Sequence, residues 1–362
     1  MLRGLQILRG VAAILVVIYH TFFWEHKSLS MSFSPSVLRL SEYGVDIFFA
    51  ISGFIMVYIS PRQLTLPAGV GQFLLNRVAR IYPPYLAVTA VLTIVCLFRP
   101  DLFNTFYGHH VDLLRSFFLL PQKFTPLLIV GWTLIHEQYF YLLASIAFIF
   151  SFRGRLLLAI AWGFLVTAVN LIAPPQNNPI LQLIFSPFCL TFILGVIIGL
   201  FFRFLCRRPI CGLFVAAFSV ALLWYGHNLP KGGVYPNNND IMRFAIIGIS
   251  SCGFMSSAVM LESWLGKYLG CFVFLGDASY SIYLVHLPII AAFYRLYTYL
   301  PLQHLPKIIT FIFCVIASIA AGMVFRVIVE VPLLRWSKRL LNVHFSSRST
   351  LSEPSSPTPM SS

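Results

Sequence analysis

Ten apolar runs follow one another along the 362 residues, each about as long as a hydrocarbon core is thick, with short polar links between them. They lie at roughly 5–24, 43–60, 81–98, 127–150, 156–173, 180–202, 210–226, 241–261, 269–297 and 306–331. About 20 apolar residues carry a helix across a bilayer, and a helix satisfies its own backbone groups there. A β-barrel would instead show segments of about ten residues with alternating polarity. Only 10% of the residues are charged, well below the roughly 25% of soluble domains. The expected fold is all-α, a polytopic transmembrane helical bundle of about ten spans.

Orientation follows from the charges between the runs. Arg3 and the first apolar run resemble a secretory signal, but the run passes His20 without a small-residue cleavage site. An uncleaved first helix is the expectation. With the N-terminus in the cytoplasm, fourteen of the 25 Lys and Arg residues fall on the inner side and eight on the outer; Arg9, Arg243 and Arg326 lie within spans. That bias predicts both termini inside. The +14 charge is dispersed between spans and sets topology, so it excludes a nucleic-acid interface. Residues 1–340 form the expected transmembrane domain. Residues 341–362, ending SSRSTLSEPSSPTPMSS, lack apolar periodicity and are expected to be a disordered cytoplasmic tail. The longest outer loop, about 99–126, carries LLRSFFLLP, which suits a short surface segment. Seven cysteines show no CxxC and no regular spacing, so neither a disulfide framework nor a metal site is expected.

Chemistry is expected where ionisable residues stand inside apolar runs, because their burial in a bilayer is costly. Arg9 and His20 share the first run. Eleven residues make about three helical turns, which puts both on one face about 16.5 Å apart along the axis. His20 is the candidate general base, since imidazole titrates near neutrality. Arg9 keeps its charge and needs an anionic partner, either a ligand phosphate or one of Glu137 and Glu330. Arg77 and Arg80, spaced i and i+3 in RVAR, suit a grip on phosphate oxygens at the inner face and equally suit plain topological flanking. Glu137 lies in WTLIHEQYFY beside Trp132, Tyr139 and Tyr141, aromatic residues that fit packing as well as a substrate platform. Tyr280, Tyr283 and His286 lie in SYSIYLVHLP, where Pro288 can open the backbone locally. No G-x-S-x-G turn surrounds Ser279 or Ser281, which argues against a serine nucleophile. Asp46 and Asp277 are read as boundary residues, and Gly44 and Gly53 as sites of close helix contact.

Taken in order, LRGVAAILVVIYH, GVDIFFAISGFIM, RVAR, WTLIHEQYFY, SYSIYLVHLP and the final EVP resemble the acyltransferase 3 family of polytopic membrane enzymes. The resemblance covers about residues 3–340 and is nearest to the exopolysaccharide and lipopolysaccharide O-acetyltransferases of that family. It implies transfer of an acyl group, usually acetyl from cytoplasmic acetyl-CoA, to a sugar hydroxyl of a lipid-linked or surface glycan. It also implies a multi-pass protein of the bacterial inner (plasma) membrane, in contact with membrane lipids and with polysaccharide assembly machinery, and without a metal. Carried over, the Arg-x10-His pair becomes Arg9 and His20, with Glu137 the third candidate catalytic residue. Arg77 and Arg80 become the donor-contacting pair. Trp132, Tyr139, Tyr283, His286 and Glu330 are the candidate acceptor-binding residues. Some family members add an extracellular SGNH hydrolase-like domain; the short polar tail here implies that any periplasmic relay would use another protein. The rival readings are a proton-coupled exporter of an acid or lipid-linked sugar, which would move substrate without consuming thioester, and an inactive scaffold.

Overall fold

The computed structural model describes residues 2–29, 43–58, 67–103, 109–205, 209–228, 241–300 and 306–350. Within them the chain is helical and no strand occurs. In order, the helices are α1 (Arg3–Leu29), α2 (Gly44–Tyr58), α3 (Pro67–Phe98), α4 (Leu113–Phe117), α5 (Gly131–Ala147), α6 (Phe152–Ile172), α7 (Pro179–Ile184), α8 (Phe188–Leu200), α9 (Phe202–Leu205), α10 (Pro209–Asn228), α11 (Ile241–Arg243), α12 (Ile249–Met260), α13 (Glu262–Tyr268), α14 (Val273–Tyr299), α15 (Lys307–Phe325) and α16 (Val331–Thr350). Single π-helical turns, Phe244–Gly248 and Arg326–Glu330, join α11 to α12 and α15 to α16.

Among the described residues eight helical stretches are long and apolar enough to cross a membrane. Two of the ten expected spans fall short of that length: α2 has 15 residues and α5 has 17, about 22 and 26 Å of helix. Both carry residues of the site described below. The last helix runs past residue 340 to Thr350, and residues 351–362 lie outside the described set. Pro288 does not interrupt α14, nor do Pro83 and Pro84 interrupt α3. In the 99–126 region the surface segment is the short α4, whose first turn is capped by Asp112 accepting from the Arg115 amide at 2.9 Å. At the end of α3, Arg99 donates to Asp101 and holds that exposed carboxyl below its usual range.

The core forms where α1 packs on α14, α2 on α8, and α14 on α15. Glycine makes the first of these contacts possible. A Cβ on Gly10 would stand 2.9 Å from the Leu275 Cβ, and one on Gly276 would overlap the Gln6 carbonyl. Gly53 meets the Phe192 backbone of α8 in the same way, so small residues set helix spacing as they do in membrane bundles. The outer faces of α3, α6 and α10 remain apolar, with Phe98, Phe164 and Phe214 largely exposed, as a lipid-facing surface requires. Asp46 is buried near the start of α2, where its Oδ2 accepts from the Arg243 Nη2 at 2.5 Å. The Arg243 guanidinium also stands 5.0 Å from the Phe188 ring centre.

Candidate active site

A cavity of about 250 Å³ opens among α1, α2, α3, α5 and α14. Its polar lining includes Arg9, Arg77, Arg80, Glu137, Tyr141 and Tyr280, together with Thr133 and Tyr283. The RVAR arginines of α3 therefore share a cavity with Arg9 of α1 and Glu137 of α5, which spacing along the chain could not establish. Three cations face one carboxylate. Among the described residues none of the three has a carboxylate within salt-bridge distance, although Arg9 lies within electrostatic range of Arg80, Glu137 and Glu330. The Arg77 guanidinium packs 5.2 and 5.5 Å from the ring centres of Phe73 and Tyr141, and its buried Nε has no hydrogen-bond partner. Tyr141 donates to Glu137 Oε1. Guanidinium groups in excess over carboxylates suit an anionic ligand with several acceptor oxygens.

Arg9 is held by side chains that the sequence reading left aside. Its Nη1 donates to Gln6 Oε1 at 3.0 Å, and the Gln6 amide donates to Asp277. Asp277 in turn lies 3.7 Å from Arg326 Nη2, and its carbonyl accepts from the same guanidinium. Asp277 is thus a link in a chain from Arg326 to Arg9. Gln6 recurs at i and i+3 with Arg9, a helical spacing that could have pointed to it.

His20 lies outside the cavity, toward the other end of α1, and its partner is His286. The two rings are 5.0 Å apart, with His286 Nε2 3.2 Å from His20 Nδ1. Partners assign the protons here. His286 Nδ1 sits 2.7 Å from the Tyr283 carbonyl and 3.2 Å from that of Ile282. A carbonyl only accepts, so Nδ1 carries the proton and Nε2 the lone pair. His20 Nδ1 is 3.0 Å from the Val16 carbonyl, so it also carries a proton, shared between that oxygen and His286 Nε2. His20 Nε2 is left as a lone-pair acceptor, the atom a general base uses. Tyr283 stands between the two regions. It lines the cavity, its ring centre is 5.7 Å from that of His286, and its hydroxyl meets Thr133 Oγ1 at 2.8 Å.

The other predicted residues divide. Glu330 is buried and accepts from Ser281; it does not line the cavity. Trp132 packs on Phe49, Phe188 and His136, and Tyr139 on Trp162 and Phe140; neither Trp132 nor Tyr139 lines the cavity, although Phe49 does. Among the described residues no cluster of three His, Cys, Asp or Glu side chains suits a metal ion.

The described residues thus form a helical bundle with membrane-crossing stretches, a cation-rich cavity and, beyond it, a pair of contacting histidines. Residues 2–327 match the acyltransferase domain of the acyltransferase 3 family, and the chain belongs to that family. It is 31% identical over 253 residues to the exopolysaccharide production protein ExoZ of Rhizobium meliloti, covering 67% of this chain and 74% of that one. A candidate acetyltransferase, ORF330, of Acidianus two-tailed virus is 26% identical over 77% of this chain and 81% of its own length. The O-acetyltransferase OatA of Staphylococcus aureus is 26% identical over 80% of this chain, which spans 50% of OatA. No solved structure matches significantly. The protein is an acyltransferase, as the motif order implied.

Proposed function

We propose that this acyltransferase moves an acetyl group from acetyl-CoA, on the cytoplasmic side of a bacterial inner membrane, to a sugar hydroxyl of a lipid-linked or surface polysaccharide or lipopolysaccharide. The observation that carries this reading is the cavity itself, where Arg9, Arg77 and Arg80 face a single carboxylate. Arg77 and Arg80 would bind the donor phosphates through charge-assisted hydrogen bonds. Arg9, further along α1, would guide the thioester toward Tyr283. The Tyr283–Thr133 hydrogen bond would have to open for the acyl group to reach His20.

At His20 the chemistry balances simply. Nε2 takes the proton of the sugar hydroxyl as that oxygen forms a bond to the thioester carbonyl carbon. The tetrahedral intermediate collapses, the carbon–sulfur bond breaks, and the thiolate leaves with the proton that Nε2 returns. The roughly 16.5 Å between Arg9 and His20 along α1 lets a donor enter from one side while an acceptor arrives from the other. The exopolysaccharide role in the name of ExoZ supports a glycan acceptor, delivered here by polysaccharide assembly proteins.

The test is purified protein in lipid nanodiscs, given labelled acetyl-CoA and membrane glycolipids, with wild type set against His20→Ala and Arg80→Ala. Wild type should label the glycolipid and His20→Ala should not. Undiminished labelling by His20→Ala would sink the mechanism, and no labelling by wild type would sink the donor or the acceptor assignment.

A further inference from the structure

The reaction just described leaves His286 without a task, yet its geometry is too constrained for simple packing. We propose that His286 is a positioning residue for His20: it fixes the base-competent tautomer and takes a share of the proton that His20 acquires. This rests on the assignment of His20 as the base.

The case is one of counting donors and acceptors. The fully buried His286 spends its only N–H on the Tyr283 and Ile282 carbonyls. Its Nε2 lone pair therefore has one hydrogen-bond partner in the described structure, the Nδ1–H of His20. In the opposite tautomer of His20, that contact would set two lone pairs against each other, and the Val16 carbonyl oxygen would face a lone pair in place of the Nδ1–H. The environment thus selects Nδ1–H and leaves Nε2 bare. When Nε2 then takes the acceptor proton, positive charge spreads over the imidazolium, and Nδ1–H already points at a neutral lone pair able to stabilise it. A carboxylate does this in the Ser-His-Asp arrangement; here an uncharged ring does so, and the pair of rings holds one positive charge at most.

His136 is the internal control. Its Nδ1 bonds the Trp132 carbonyl at 2.9 Å, the same four-residue back-bond that His20 makes. Its ring, however, packs against Phe49, Trp132, Phe140 and Phe188. A backbone bond alone is an ordinary way for a helical histidine to satisfy itself. The imidazole–imidazole contact is what separates His20 from it.

The experiment pairs kinetics with nitrogen NMR on full-length protein in nanodiscs. A Gln side chain can present an acceptor near the position of His286 Nε2, whereas Asn is too short. His286→Asn should lower kcat about 10- to 100-fold at an unchanged KM for acetyl-CoA, His286→Gln should stay within about threefold of wild type, and His136→Asn should leave kcat unchanged. Retained kcat in a folded His286→Asn protein, or an equal loss in His286→Gln, overturns the proposal. In ¹⁵N-histidine spectra of wild type, His20 should appear as the Nδ1–H tautomer with Nε2 bare. An Nε2–H tautomer overturns the proposal whatever the donor proves to be. Wild-type protein inert toward acetyl-CoA, with the tautomer as expected, counts against the proposed function and leaves the histidine pair standing.

Discussion

The cavity and the histidine pair lie on the same helix, yet they are built on opposite electrostatic plans. In the cavity, Arg9, Arg77 and Arg80 face one carboxylate, and that carboxylate is already engaged by Tyr141. Charge there is left over and awaits a ligand. At the histidine pair the three other ring nitrogens each have a partner, and only His20 Nε2 is spare. Binding sites store surplus donors, whereas a base needs one lone pair and nothing competing for it. Removing a residue from the first region should therefore weaken binding, and removing one from the second should slow chemistry.

The largest effect should come from the base. His20→Ala should lower turnover by on the order of 10³-fold, with little change in donor affinity, measured by single-turnover kinetics beside a binding isotherm. Loss of donor affinity with turnover intact would erase the division between the regions.

Arg243 sharpens the same comparison from outside, because it is a buried arginine whose carboxylate is in place. It pairs with Asp46 at 2.5 Å, with both side chains buried. Arg243→Ala removes the cation that the buried Asp46 carboxylate pairs with, which should cost about 3–5 kcal/mol of stability. Thermal unfolding in detergent should register this, with donor affinity per folded molecule retained. Arg80→Ala should do the reverse. It removes an unpaired cation near Arg9, so the unfolding midpoint should hold or rise slightly. Donor affinity should fall about tenfold or more, the value of one hydrogen bond from a charged group. A stability loss in Arg80→Ala would mean that the cavity arginines serve the fold.

These contrasts also mark what the sequence could convey. The bundle was legible because lipid imposes long apolar runs, and eight described stretches have that length. The shortness of α2 and α5 was less legible, since apolar residues flank both and blur their ends. Arg9, Glu137 and His20 stood out because ionisable groups are costly in apolar runs, and Arg77 and Arg80 because of their i, i+3 spacing. Their division into two regions was hidden, because it depends on how α3, α5 and α14 pack around α1. The partners of Asp46 and Asp277 were hidden for the same reason, since they lie nearly two hundred and some fifty residues away along the chain.

The smallest effect tests whether the cavity is rigidly set. Gln6 accepts from Arg9 and donates to Asp277, which also contacts Arg326. Gln6→Leu keeps roughly the same bulk and removes both hydrogen bonds, freeing the Arg9 guanidinium to turn toward Glu137. A hydrogen bond from a charged group contributes about 1.5–3 kcal/mol, but Arg9 keeps its charge and its place on α1 in this variant, so activity should drop only about two- to tenfold. The drop should lie in kcat/KM for the donor, since the His20–His286 geometry is untouched. Gln6→Glu separates orientation from charge: it offers Arg9 a stronger acceptor but sets a second carboxylate against Asp277. If Arg9 needs only a fixed position, Gln6→Glu should outperform Gln6→Leu. If it needs its charge left unspent for the ligand, Gln6→Glu should be the worse of the two, because a carboxylate at that position competes with the donor phosphates for the same guanidinium. The unpaired state of the other two arginines favours the second outcome.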